Sequence, residues 1–246
     1  MTTVSPSTYV EAVRAGSTAL LAAARTDMSA AVPSCPGWTV ADVVRHVASV
    51  HRWAATAVQT GGSERPDFPS PPAGLSDDAL IDWAEVQAAM LLAALNETDP
   101  DASAWTFGPP RTARFWLRRQ AHETSVHAWD AGNAVGSPLA LSSDVAADGV
   151  AEYLEVMLSR LIGRDAGPWN GETIHFHRTD GEGEWLVTLG PAGAVAVEAA
   201  HGKGDLAVRA PGPELLLWIT NRVGADRVEL LGQTGLAEQW RSALAF

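Results

Sequence analysis

Glu123 and His127 are the residues of this chain best spaced to do chemistry together. They sit in the run from Gln120 through His122 to Asp130. A helix advances about 100° per residue, so Trp116, Gln120, Glu123, His127 and Asp130 share one narrow stripe. Phe115, Leu117, Ala121, Val126, Ala128 and Trp129 fill much of the remaining circumference, which predicts a helix that is largely buried. A carboxylate and an imidazole buried on one stripe require a partner, because an unpaired buried charge is costly. A divalent cation meets that requirement, since ligands at i and i+4 lie one turn apart and close on a single ion. The competing reading is an exposed i,i+4 pair worth a few tenths of a kcal/mol.

A third ligand must come from another segment. His122 is a poor choice: five residues from His127, it lies about 140° away, so the pair does not reproduce the HExxH zinc motif. His46 and His51 flank the apolar stripe of an earlier helix on opposite sides, so at most one of them belongs, and periodicity does not choose. Two further groups carry bland readings. Cys35, before Pro36 in a turn, reads as a packed structural thiol. His175 and His177 alternate on a strand, with His201 on a later turn; lacking a nearby acidic or Cys partner at typical spacing, they read as a solvated strand face.

Helical periodicity predicts the elements that must position these groups. Helices are expected at about 6–25, from Thr39 to about 57 with Asp42 where a capping-box acid belongs, at 76–95 and at 111–134. A Gly, Pro and Ser-rich connection covers 61–74. A fifth helix runs from Ser142 or Ser143 to about Ile162. After Gly167 the period changes to short strands at 173–177, 184–189, 195–199 and 206–209. A helix at 213–222, a strand at 228–231 and a last helix ending at Phe246 complete the chain. The expected fold class is α+β, an N-terminal helical bundle over 1–138 followed by a small α/β domain over 139–246.

The formal charge of -12, with 17 Lys and Arg scattered along 246 residues, argues against nucleic acid and against anionic membrane surfaces. No apolar run approaches the roughly 20 residues that span a bilayer. The first residues lack the basic and apolar segments of a secretory signal, and the single cysteine forbids an intrachain disulfide, so a cytoplasmic protein is expected. Ten Trp residues either fill the core or line a pocket, the core being the commoner use.

Two stretches carry a resemblance. Cys35-Pro36-Gly37-Trp38-Thr39-Val40-Ala41-Asp42-Val43-Val44-Arg45-His46-Val47 and His122-Glu123-Thr124-Ser125-Val126-His127-Ala128-Trp129-Asp130-Ala131 resemble the mycothiol-dependent maleylpyruvate isomerase family, within the DinB-like superfamily of four-helix metalloproteins. The segment from Val145 to Leu154 resembles the opening of that family's C-terminal domain. The resemblance thus covers nearly the whole chain. It implies a DinB-like bundle with His46, Glu123 and His127 as metal ligands, His51 excluded. It implies a divalent metal, zinc first though nickel, iron and manganese also suit such ligands, and mycothiol as thiol cofactor. Arg222 matches an arginine that holds a substrate carboxylate, with Asn221 where the family usually has Gly; a cation closing a helix C-terminus is the plainer alternative. Asp130, one turn beyond His127, either orients a ligand, binds thiol-sugar hydroxyls, or ends the helix as a surface acid.

The implied chemistry is activation of mycothiol as a thiolate. The thiolate either isomerises a maleylpyruvate-like acid by reversible addition to its double bond or transfers sulfur to an electrophile. The expected partners are therefore a small thiol and a small electrophilic or unsaturated acid, in a monomer or homodimer. A non-catalytic protein using the same metal for ligand binding or regulation is the alternative.

Overall fold

In a computed structural model, residues 4–162 and 169–244 are described. Helix α1 (Pro6–Thr26) starts where Ser5 accepts the Thr8 amide and proline takes the first helical position, whose N–H has no helical partner anyway. A capping box starts α2 (Val40–Thr60): the Thr39 backbone N–H donates to Asp42 Oδ2 at 2.9 Å while the Thr39 side chain meets the N3 amide. Ser76 caps α3 (Asp77–Glu97) through the Ala79 amide, and α4 (Ala113–Ala134) follows Thr112. These four helices form a bundle in which α1 packs chiefly on α4 and α2 on α3. Val40, Val43, Val44, Val47, Leu80, Ala128 and Ala131 belong to its core, each at most 1% exposed.

The chain divides into two compact units, Val4–Leu141 and Ser142–Phe246. In the second, α5 (Ser143–Glu152) runs through a π-helical turn (Tyr153–Met157) into α6 (Leu158–Ile162). Strands β1 (Glu172–Arg178), β2 (Glu184–Leu189), β3 (Val195–Glu198), β4 (Leu206–Ala210) and β5 (Glu229–Gly232) form one sheet in the order β3-β2-β1-β4-β5. Only the central β1–β4 pair is parallel; the other three pairs are antiparallel. Ile174 and Phe176 of β1 meet Val187 and Trp185 of β2 on the fully buried face, with Phe176 against Trp218 of α7 (Gly212–Ile219) and Trp240 of α8 (Gly235–Ala243). The tryptophans therefore serve largely as core: Trp116, Trp185, Trp218 and Trp240 are among the largest fully buried side chains. The end of the last expected helix, at Phe246, lies outside the described residues.

One helix end departs from the sequence reading. Helix α7 stops at Ile219, because the chain turns there: Arg222 N–H donates to Leu217 O at 2.7 Å and Asn221 N–H to Trp218 O at 3.0 Å, with Asn221 at φ 62°. This is a Schellman C-cap, and asparagine is the non-glycine residue best suited to its left-handed position. Asn221→Ala is expected to lose about 1 kcal/mol or more of unfolding free energy in urea, and Asn221→Gly to lose much less. Equal losses would contradict the assignment.

Candidate metal centre

The capping box that begins α2 places His46 two turns in, and the preceding turn carries Ser34, Cys35 and Trp38. That turn closes through Trp38 N–H to Cys35 O at 3.0 Å, with Gly37 at φ 83°. Across the bundle, α4 presents Glu123 and His127. His46 Nε2 lies 2.8 Å from Glu123 Oε1, and His127 Nε2 lies 3.5 Å from the same oxygen. Ligand atoms of His46, Glu123 and His127 all fall within 4.8 Å of one another. The two imidazole rings meet edge to face at 4.9 Å, and the Trp38 indole lies 5.3 Å from His46 and 6.4 Å, nearly parallel, from His127.

The surroundings fix each ligand. His127 Nδ1 meets Asp130 Oδ2 at 2.9 Å, so a neutral His127 donates to Asp130 and turns the lone pair of Nε2 toward Glu123. The second oxygen of Glu123 pairs with Arg119, one turn earlier on α4. Asp130 is fully buried: Ser34 Oγ donates to Oδ1 at 2.5 Å and Cys35 Sγ to Oδ2 at 3.6 Å. The surface-acid alternative for Asp130 is thereby overturned, because both its oxygens are spent inside the bundle. Cys35 likewise gains in space the polar neighbours it lacks in sequence.

Electrostatics follow from this packing. Burial pushes the Glu123 carboxyl up, but Arg119 and the two histidines outweigh it and hold Glu123 well below the carboxylate range. Burial pushes His127 down, yet its bonds to Asp130, Cys35 and Glu123 raise it well above 6.5. An electronegative pocket of this kind suits a cation, whose binding would compete with a proton on His127.

The structure separates the two candidate histidines of α2. His46 reaches Glu123, whereas His51 is buried with Nε2 2.9 Å from Thr124 Oγ1. His122 is also buried, edge-on to Tyr9 at 6.1 Å. Burial drives the His51 ring down to about 4, opposed by the charge of Glu123 and assisted slightly by His46. A base depressed by folding binds its proton more readily in the unfolded chain, so its contribution is present above 6.5 and is lost as pH falls toward 4. Wild type is expected to lose about 2–3 kcal/mol more than His51→Gln between pH 7 and 4.5 in urea titrations. Parallel pH profiles would contradict this.

Arg222 sits in the other unit, just past the cap of α7, with Nη1 donating to Thr220 O at 2.6 Å. Sequence reasoning passed over Arg119, Ser34 and Trp38. Arg119 was legible as an i,i+4 partner of Glu123. Ser34 had no signal, since its bond to Asp130 spans 96 residues.

The chain thus pairs a four-helix bundle with a small mixed-sheet unit. The sequence profile of the mycothiol maleylpyruvate isomerase N-terminal domain matches residues 10–132, and that of the family's C-terminal domain matches residues 144–239. The chain belongs to the mycothiol maleylpyruvate isomerase family. Two solved structures share its fold over 94% of this chain and 95% of theirs. A mycothiol-dependent maleylpyruvate isomerase superposes with a TM-score of 0.64 at 19% identity, and a histidine-to-alanine variant of such an isomerase with 0.67 at 17%. Uncharacterised proteins from two strains of Mycobacterium tuberculosis are 34% identical over 149 residues. Those matches cover 53% of this chain and 58% of each relative, so the chain spans little more than half the length of the curated relatives it matches. Among the described residues no helix is long and apolar enough to cross a membrane.

Proposed function

We propose that the bundle holds one divalent cation, zinc first, through His46 Nε2, Glu123 and His127 Nε2, and that the protein activates mycothiol there. The thiol would serve either isomerisation of a maleylpyruvate-like acid or transfer of sulfur to an electrophile. The observation that carries this reading is the convergence of two imidazole nitrogens from two helices on one carboxylate oxygen. The donor set fits the group: three protein ligands leave a coordination position open, as in catalytic zinc sites. When bound, the cation supplies Lewis acidity that lowers the pKa of a thiol.

The chain's own residues do the rest. Asp130 fixes the tautomer and orientation of His127, the role of a carboxylate behind a metal-binding imidazole. Its full burial favours this role over contact with cofactor hydroxyls. Arg119 holds the far oxygen of Glu123, leaving Oε1 for the cation. Trp38 lays its indole beside both imidazoles and gives the centre an apolar wall. A thiolate would suit such a cation as an anionic sulfur ligand. For Arg222 the proposed role is to hold the substrate carboxylate, for which a guanidinium fork is suited. Arg222→Met should then raise KM for an acid substrate while sparing a neutral electrophile.

The test is turnover by the zinc-loaded protein with mycothiol, first with maleylpyruvate and then with a panel of electrophiles. Fumarylpyruvate formation identifies the isomerase, and a stable thioether the transferase. Metal-loaded protein that binds mycothiol and converts nothing would refute catalysis.

A further inference from the structure

We infer that the sheet of the C-terminal unit carries a second divalent-cation site, of zinc type, built by His175, His177, Glu184 and His201. This inference does not rest on the proposed function, because it uses neither the bundle nor its ligands.

The sheet register assembles three of the four ligands. Alternation on β1 turns His175 and His177 to the face opposite Ile174 and Phe176. Antiparallel pairing then sets Glu184 directly across from His177, on the same face. This supplies the acidic partner that sequence spacing did not show, and it overturns the reading of a solvated strand face: His175 is only 6% exposed. His175 Nε2 lies 3.1 Å from Glu184 Oε2, and His177 Nδ1 lies 3.2 Å from Glu184 Oε1.

The fourth ligand comes from the chain between β3 and β4. Gly204 lets that segment run against β1, since a Cβ there would stand 2.8 Å from the His175 amide nitrogen. Asp205 anchors it, accepting from the Thr173 backbone at 2.8 Å and the Thr173 hydroxyl at 2.7 Å. His201 then reaches Glu184 through Nδ1, with its ring 5.8 Å from that of His175. Ligand atoms of all four residues lie within 4.8 Å of one another. Ligands of a tetrahedral zinc ion stand about 3.3 Å apart, so modest side-chain rotations close the site.

Hydrogen bonding alone accounts poorly for this cluster. A single carboxylate offsets one imidazolium, so three imidazoles around Glu184 gain little as ion pairs. The His201 side chain is 83% exposed, and an exposed pair of this kind contributes little stability. A divalent cation gives each imidazole the same partner and leaves no vacant position, as in structural zinc sites. Bound there, it would tie the 199–205 connection to β1 and β2.

Chelator-stripped protein without a histidine tag, dialysed against zinc and analysed for metal, decides the matter. The full chain should retain about two zinc ions. His201→Ala, on an exposed turn where folding is not at risk, should remove one of them, as should Glu184→Gln. His127→Ala should remove the other and leave the sheet's ion in place, so failure of either site is seen separately. Zinc content identical in wild type and His201→Ala, with His175→Ala/His177→Ala also unchanged, would overturn the second site.

Discussion

Replacing His127 by Ala should cost the bundle its cation, with affinity for zinc falling about a hundredfold or more and mycothiol-dependent turnover lost with it. The size follows from what the ring does. On this account His127 would supply one of three protein donors, and its Nδ1 also pairs with the fully buried Asp130. Removing one member of a buried charged pair costs about 3–5 kcal/mol in folding stability, so the variant's fold must be checked by circular dichroism. Asp130→Asn provides the milder companion. It keeps the shape of the side chain while removing the charge behind His127, and about a 10- to 100-fold loss of zinc affinity is expected. Competition titration with a chromophoric chelator measures both. Wild-type affinity in either folded variant would contradict the ligand assignment.

The largest loss of stability is expected from Trp116→Ala. This indole is fully buried on α4 and packs against Trp53 at 5.4 Å, Phe107 at 5.8 Å and Phe115 at 5.4 Å. Its Nε1 donates to Trp105 O at 2.6 Å. Truncation leaves a cavity that rigid aromatic neighbours cannot refill and strands a carbonyl. A cost of about 3–5 kcal/mol is expected in urea unfolding. Trp116→Phe, which keeps most of the volume and loses the hydrogen bond, should cost about 1–3 kcal/mol. An alanine variant within 1.5 kcal/mol of wild type would show that this cluster is not the core it resembles.

The helices of the bundle were legible in the sequence because their signals are local. The Thr39 and Asp42 capping box and the 3.6-residue period of α2 and α4 appear within a few residues of each element. The stripe of Trp116, Gln120, Glu123, His127 and Asp130 was legible for the same reason. The choice between His46 and His51 was not, because it depends on how α2 is rotated against α4, and periodicity alone leaves both open. The resemblance pointed to His46, and the packing puts that ring beside Glu123. Cys35 and Ser34 show the same boundary from another side, since their contacts with Asp130 are made across the bundle. On the sheet, Glu184 escaped notice because its meeting with His177 is a matter of hairpin register, which residue spacing does not encode by itself.

The most direct measurement is the absorption spectrum of the cobalt-loaded protein in a His201→Ala background, which leaves the bundle as the cation's place. Adding mycothiol should produce a near-ultraviolet sulfur-to-cobalt band that saturates with the thiol and is missing from His127→Ala. Cobalt that sits in the bundle with a spectrum indifferent to about millimolar mycothiol would contradict thiol activation at this centre.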